Sequence, residues 1–283
     1  MVDGLAVVDK AAGWTSHDVV AKCRGIFGQR KIGHSGTLDP DATGVLLVGL
    51  GRVTRLLRFL TDLPKTYTGE VVLGTATSTL DASGEVVGEW DMSSVSIDDV
   101  RRAVAASFVG PILQVPPMVS AVKVDGQRLH KLARAGVEVE REARPVTVHR
   151  FGVLGPPAGA AGVFAVEVEC SSGTYIRSLA ADLGTALGGG AHLRNLRRTA
   201  IGSFALDQAR PLEGLSPEAV LTPAEALRDY DAVTADAAMV AAVGFGRPLP
   251  SLPAGTVRVL GPDDGALLAV YTDGKPAVVL APA

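Results

Sequence analysis

Apolar residues along the 283-residue chain recur at helical spacing in some stretches and alternate in others, and each change of period marks an element boundary. After Thr15-Ser16-His17-Asp18, the apolar positions Val19, Val20, Cys23, Ile26 and Phe27 predict a capped amphipathic helix that Gly28 closes. Residues 33–44 hold three Gly, one Pro and short polar side chains, which predicts a loop. Val45 to Val48 reads as a short buried strand. Residues 52–60 return to helical spacing with Arg52, Arg55 and Arg58 on one face. Residues 65–73 read as a strand carrying Tyr67, and 74–84 as loop. Ser96 and Asp99 form a capping signature for a helix through Phe108 that Gly110-Pro111 stops. Residues 115–145, with Pro116-Pro117 and weak periodicity, predict a projecting segment.

Further on, Phe164, Val166, Val168 and Cys170 alternate with Glu167 and Glu169, as a half-buried strand requires. Leu179, Leu183 and Leu187 mark a helix broken at Gly188 to Gly190. Arg194, Arg197 and Arg198 cluster after that glycine run. Thr222-Pro223-Ala224-Glu225 reads as a capping box opening the last helix of the main body. Residues 256–260, 266–271 and 277–280 are short β-rich runs whose small core needs docking support. Strands and helices interleave without strict βα alternation, so the expected class is α+β.

Composition narrows the class. At 47% apolar and 20% charged, the chain reads as a soluble globular protein, long enough for a large domain with a smaller one. Cys23 and Cys170 stand in unlike contexts without metal-ligand spacing, so neither zinc nor a disulfide framework is expected, and a reducing compartment fits. Asp3, Asp9 and Lys10 leave no apolar stretch for a signal peptide, and no run spans a bilayer; the expected location is cytoplasmic. The net charge of −3 is uneven: residues 212–283 carry four basic against nine acidic side chains. Local basic surface is therefore available in the rest of the chain despite the acidic total.

Several familiar motifs fail on particular residues. Gly49-Leu50-Gly51 begins like a dinucleotide fingerprint, but Thr54 stands where the third glycine belongs. Gly33-His34-Ser35-Gly36-Thr37 lacks the glycine that would complete a nucleophile elbow. Asp39 to Gly44 opens like a calcium loop, yet Leu50 occupies the position of the bidentate glutamate. What remains is Asp39 between Leu38 and Pro40. An aspartate in such a place commonly makes a turn, but an ionised carboxylate can also be a covalent nucleophile if a cation such as Arg177 keeps it charged.

The run GHSGTLDPDATGVL (33–46), with DKAAGWTSHD (9–18), KTYTGEVVLG (65–74), CSSGTYIRSLAADLG (170–184) and HLRNLRRTAIGSF (192–204), closely resembles the bacterial tRNA pseudouridine-55 synthases of the TruB type. The first block is the most specific. The resemblance covers residues 3 to about 230 in order. It implies a pseudouridine synthase fold, with a mixed, largely antiparallel central sheet flanked by helices and loops. It divides the chain into a catalytic domain, 1–231, with an RNA-binding thumb-like segment at about 115–150, and a small C-terminal PUA-like domain, 232–283.

The implied reaction isomerises a uridine in the T loop of tRNA, without metal, redox carrier or other cofactor. Asp39 matches the catalytic aspartate, Arg177 the arginine that pairs with it, and Tyr67 the tyrosine that stacks on the flipped uracil. His34 matches the residue that fills the vacated stack. Tyr175 and Leu196 match pocket residues, and Lys10 a lysine near the site. Basic residues of the two arginine clusters and of 123–150 would face T-arm phosphates. The implied partner is the tRNA T-arm stem-loop, with no membrane and with the protein a monomer. Ala11, Val119 and His130 depart from the family pattern, away from the proposed nucleophile. A binding module without catalysis and a dehydrogenase resting on Gly49-Leu50-Gly51 are the rival readings.

Overall fold

A computed structural model describes residues 1–280 apart from 121–122, 125, 130–131, 133–134, 138 and 158–159. In chain order it contains β1 (Gly4–Lys10), α1 (Ser16–Ile26), β2 (Ile32–Ser35), β3 (Thr43–Leu50), α2 (Leu57–Asp62) and β4 (Lys65–Leu73). A hairpin, β5 (Thr75–Thr77) with β6 (Val86–Glu89), precedes α3 (Ile97–Ser107) and β7 (Gly110–Gln114). After the short pair β8 (Lys123–Val124) and β9 (Gln127–Arg128) come β10 (Arg144–Gly155), β11 (Val163–Cys170), α4 (Ile176–Ala186) and β12 (Ala191–Ile201). The chain ends with β13 (Phe204–Ala205), β14 (Asp231–Thr234), α5 (Ala237–Gly244), β15 (Thr256–Leu260), β16 (Leu267–Thr272) and β17 (Lys275–Val279). These elements form two compact units: Met1–Pro40 with Gly44–Leu63 and Ile201–Ala283, and Asp41–Thr43 with Pro64–Ala200.

In the first unit β1 and β2 both run antiparallel to β3, with Val8 opposite Leu46 and His34 opposite Val48. The strand β3 is longer than the four-residue apolar run suggested, and β2 lies inside what the sequence read as loop. Only residues 36–42 are irregular, bounded by Gly36 and Gly44, whose φ values of 73° and 101° suit glycine. Helix α1 begins at the expected capping box, in which Asp18 N–H donates to Thr15 Oγ1 and Thr15 N–H donates to the Asp18 carboxylate. Its inner face, Val19, Val20 and Cys23, packs on Val8, Leu46 and Val48.

The 52–60 segment is a 3-10 turn (Gly51–Arg55) followed by α2, and it presents Val53, Leu56, Phe59 and Leu60 to a core that also contains Leu267, Val270, Val278 and Leu280. The C-terminal four-stranded sheet, in the order β14-β15-β16-β17 with β14 and β15 parallel, thus shares a core with β1, β3 and α2. This supplies the support its small size demands.

The three arginines of that segment are exposed, and each gives one donor to the C-terminal strand. Arg52, Arg55 and Arg58 donate to the carbonyls of Leu280 (3.0 Å), Val279 (2.8 Å) and Ala277 (2.8 Å), ascending as the last strand descends. Arg52 is further paired with Asp3 at 2.7 Å. Helical spacing puts the side chains on one face, as the sequence indicated, and that face also reaches a tertiary partner.

The second unit is built on the strand run β12-β4-β11-β10-β7. Neighbours from β4 to β7 are antiparallel, with Tyr67 opposite Val168 and Lys65 opposite Cys170. Along β4 the residues Lys65, Tyr67, Gly69, Val71 and Leu73 are buried while Thr66, Thr68, Glu70 and Val72 are half-buried, the period of a strand covered mainly on one side. The strand β10 and the β5–β6 hairpin lie where the sequence showed no clear period. The expected helix after Thr222 is a single 3-10 turn, Glu225–Leu227, although the Thr222–Glu225 capping bonds are present.

Replacing Arg55 and Arg58 together by alanine leaves two strand carbonyls without their charged donors. Stability is expected to fall by about 1–3 kcal/mol, read as a lower urea midpoint at unchanged slope.

Candidate active site

Residues assigned to the site from sequence fall in both units. Lys10, His34 and Asp39 belong to the first; Tyr67, Tyr175, Arg177 and Leu196 belong to the second.

In the first unit the half-buried Asp39 sits between two residues whose backbones are tied down. Leu38 N–H donates to Ser16 Oγ at 2.9 Å, and the same hydroxyl lies 3.2 Å from the Leu38 carbonyl. The Pro40 carbonyl accepts from Lys10 Nζ at 2.9 Å and from Gly13 N–H at 2.9 Å. Lys10 is fully buried at the end of β1, and its ammonium also donates to the carbonyls of Trp14 (2.7 Å) and Ala11 (3.0 Å). A buried ammonium needs such acceptors to offset the loss of water. Ala11 departs from the family pattern in its side chain, whereas Lys10 uses the carbonyl of that position. His34 is on β2 rather than in a loop, and its ring meets that of His17 edge to face with centroids 5.3 Å apart.

In the second unit Arg177, in the first turn of α4, is only 4% exposed. It donates to the carbonyls of Thr79 (2.8 Å) and Val119 (2.9 Å), and its Nε lies 3.7 Å from the Asp81 carboxylate. Asp81 in turn accepts from the hydroxyls of Thr79 and Ser83, each at 2.6 Å. The departure at Val119 concerns a side chain, whereas Arg177 reads that residue's carbonyl. His130 lies outside the described residues.

Tyr67 is buried in the middle of β4. On β12, Leu196 approaches Gly69, where an added Cβ would stand 3.7 Å from its Cδ1. Tyr175 caps α4 at its N-terminus, with its backbone held by the Gln114 carboxamide.

The second arginine cluster lies along a strand, β12. Arg194 is ion-paired with Glu70 at 2.6 Å, Arg197 donates to Thr43 Oγ1 at 3.2 Å, and Arg198 is buried. The local twist includes Asn195 at φ 53°, so the spacing of three basic residues does not define one face. The Arg194 hydrogen bond holds the Glu70 carboxyl below its ordinary value of 4.5. Cys23 and Cys170 are buried thiols, each pushed up to about 11 by burial. They are poor nucleophiles at neutral pH.

Ser16, His17, Asp81 and Gln114 were not singled out from the sequence. Ser16 and His17 stand inside a block that resembled the family, and Asp81 inside a polar loop. Only tertiary contacts reveal what they hold.

Comparison with known proteins defines the class. The structure aligns with a crystal structure of a Cbf5-Nop10-Gar1 complex with TM-score 0.73 and 29% identity, covering 95% of this chain and 78% of that one. It aligns with an H/ACA RNP bound to a substrate RNA containing 2′-deoxyuridine with TM-score 0.72 and 25% identity, covering 99% and 85%. The architecture is the α+β pseudouridine synthase fold.

Residues 24–176 match the TruB family pseudouridylate synthase N-terminal domain, and residues 177–230 the tRNA pseudouridylate synthase B C-terminal domain. A tRNA pseudouridine synthase B of Arthrobacter sp. (strain FB24) is 46% identical over 301 residues, 100% of this chain and 98% of that protein. Another, from Rhodococcus jostii (strain RHA1), is 55% identical over 217 residues, 76% and 71% of the two chains. The chain belongs to the TruB family of pseudouridylate synthases and is an isomerase.

Ser16→Ala strips the buried Leu38 backbone of its hydroxyl partner and is expected to lower stability by about 1–3 kcal/mol, measured by urea unfolding. For Glu70, the depressed folded pKa means that ionisation stabilises the fold above the unfolded value and that this contribution is lost as pH falls through the folded one. Both partners are partly exposed, so Glu70→Gln should cost less than about 1 kcal/mol near neutrality. That difference should vanish in acid, as thermal melts across the pH range would record.

Proposed function

We propose that this protein converts uridine 55 in the T loop of tRNA to pseudouridine, with Asp39 as the covalent catalyst. The observation that carries the reading is the GHSGTLDPDATG loop, in which one carboxylate stands between two anchored residues. The relatives' common name, tRNA pseudouridine synthase B, supports the choice of RNA.

The target base is stacked in a folded loop, so the enzyme flips it out at an unstacking cost of a few kcal/mol. His34 fills the vacated stack, and Tyr67 stacks on the everted uracil. The Asp39 carboxylate attacks either C6 of the base or C1′ of the ribose, and the N1–C1′ bond breaks. The base turns and C5 bonds to C1′, displacing the Asp39 carboxylate in the C1′ route; in the C6 route the Asp39–C6 bond breaks by elimination. Loss of the C5 proton, assisted by Tyr67, restores the ring, N1 takes up a proton, and Asp39 is returned as a free carboxylate. Atoms balance without redox carrier, metal or nucleotide cofactor, since product and substrate are isomers.

Arg177 keeps the carboxylate anionic. Tyr175 and Leu196 line the base pocket, and Lys10 holds the loop that carries Asp39. The T-arm phosphates meet basic residues of the two arginine clusters and of 123–150, giving a salt-sensitive component of affinity. The 232–283 region acts as a PUA-like accessory domain, and the enzyme works as a cytoplasmic monomer.

Native protein mixed with unmodified tRNA carrying tritium at uracil C5 is expected to release tritium without added cofactor. Asp39→Ala should release none and still bind the RNA. Tritium release by that variant would overturn the assignment of the nucleophile; binding by the native protein without release would favour an RNA-binding module instead.

A further inference from the structure

The first turn of α4 is fastened to the chain that leaves the edge of the β12-to-β7 strand run. Gln114, the last residue of β7, is 2% exposed. Its Nε2 donates to the Tyr175 carbonyl at 3.1 Å, and its Oε1 accepts from Tyr175 N–H at 2.7 Å. One carboxamide thus bonds both backbone groups of the residue that caps the helix, as a paired strand would, sharing the Tyr175 carbonyl with the Leu179 N–H at 3.1 Å.

Two more bonds repeat the pattern. Ser178 Oγ donates to the Val115 carbonyl at 3.4 Å, and Arg177 Nη2 to the Val119 carbonyl at 2.9 Å. Three points between 114 and 119 are therefore held by residues 175, 177 and 178.

We infer that Gln114 is a positioning residue that sets Tyr175 and Arg177 and couples their geometry to the 115–119 segment. The inference rests on the function proposed above, in which Tyr175 and Arg177 serve the reaction. The Tyr175 side chain makes no capping bond, and the carboxamide is the side chain that bonds the backbone entering the turn that carries the guanidinium. The donor half of the amide is the specific requirement, because the Tyr175 carbonyl faces it.

Gln114→Glu tests that requirement. When protonated, the introduced carboxyl donates to the Tyr175 carbonyl and accepts from its N–H, as the amide does. When ionised, it sets an acceptor against the carbonyl. Burial raises the carboxyl's pKa, which brings the change into a workable range.

The single-turnover rate relative to native protein is expected to fall about tenfold or more between about pH 5 and pH 9, with the dissociation constant for a T-arm stem-loop changed less than about threefold. Gln114→Ala should be slow at every pH. A rate ratio for Gln114→Glu that stays flat across this range overturns the inference, whether it lies near one or is uniformly low alongside a lowered melting temperature.

If the native protein releases no tritium, the functional reading fails rather than the clamp. Hydrogen exchange of the Tyr175 amide then decides: slow in native protein and fast in Gln114→Ala upholds the clamp, and equal rates refute it.

Discussion

The placement of Asp39 depends on a single buried cation. Lys10 ends β1 without access to water, so its ammonium must gather carbonyl oxygens, and the ones within reach belong to Ala11, Trp14 and Pro40. Satisfying that charge folds the turn before α1 and pulls the irregular 36–42 segment against it. Ser16 then fixes the preceding residue of the segment through Leu38. A carboxylate carried between two such anchors cannot wander. Reactions that need a reacting atom within a fraction of an ångström gain from this restriction.

Arg177 follows a similar logic in the other unit. Its guanidinium never loses its charge, and at 4% exposure it must be surrounded by acceptors. Two are main-chain carbonyls and one is the carboxylate of Asp81, itself restrained by two hydroxyls. Charge, burial and a fork of donors together let this side chain tie the β5–β6 loop to the segment after β7.

How far the sequence revealed all this follows from the range of the forces involved. Helices α1 and α3 announce themselves because their capping boxes are local, and β4 and β11 because alternation survives along each strand. The Thr222 box was equally legible, yet propagation past one turn depends on packing that no local signal reports. Asp39 stood out through the residues around it. Asp81 and Gln114 did not, since their partners are nearly a hundred and about sixty positions away. The arginine triad was correctly placed on a single face, but nothing near it in the chain foretold that carbonyls more than two hundred residues later would accept from it.

The arginines grip the last strand through peptide oxygens, so their hold is indifferent to which side chains β17 carries. Packing restricts Ala277, Val278, Val279 and Leu280 to apolar side chains that fit, whereas inserting or deleting one amino acid would throw every oxygen out of step with its guanidinium at once. A foreign tail of the same backbone spacing could be grafted in its place.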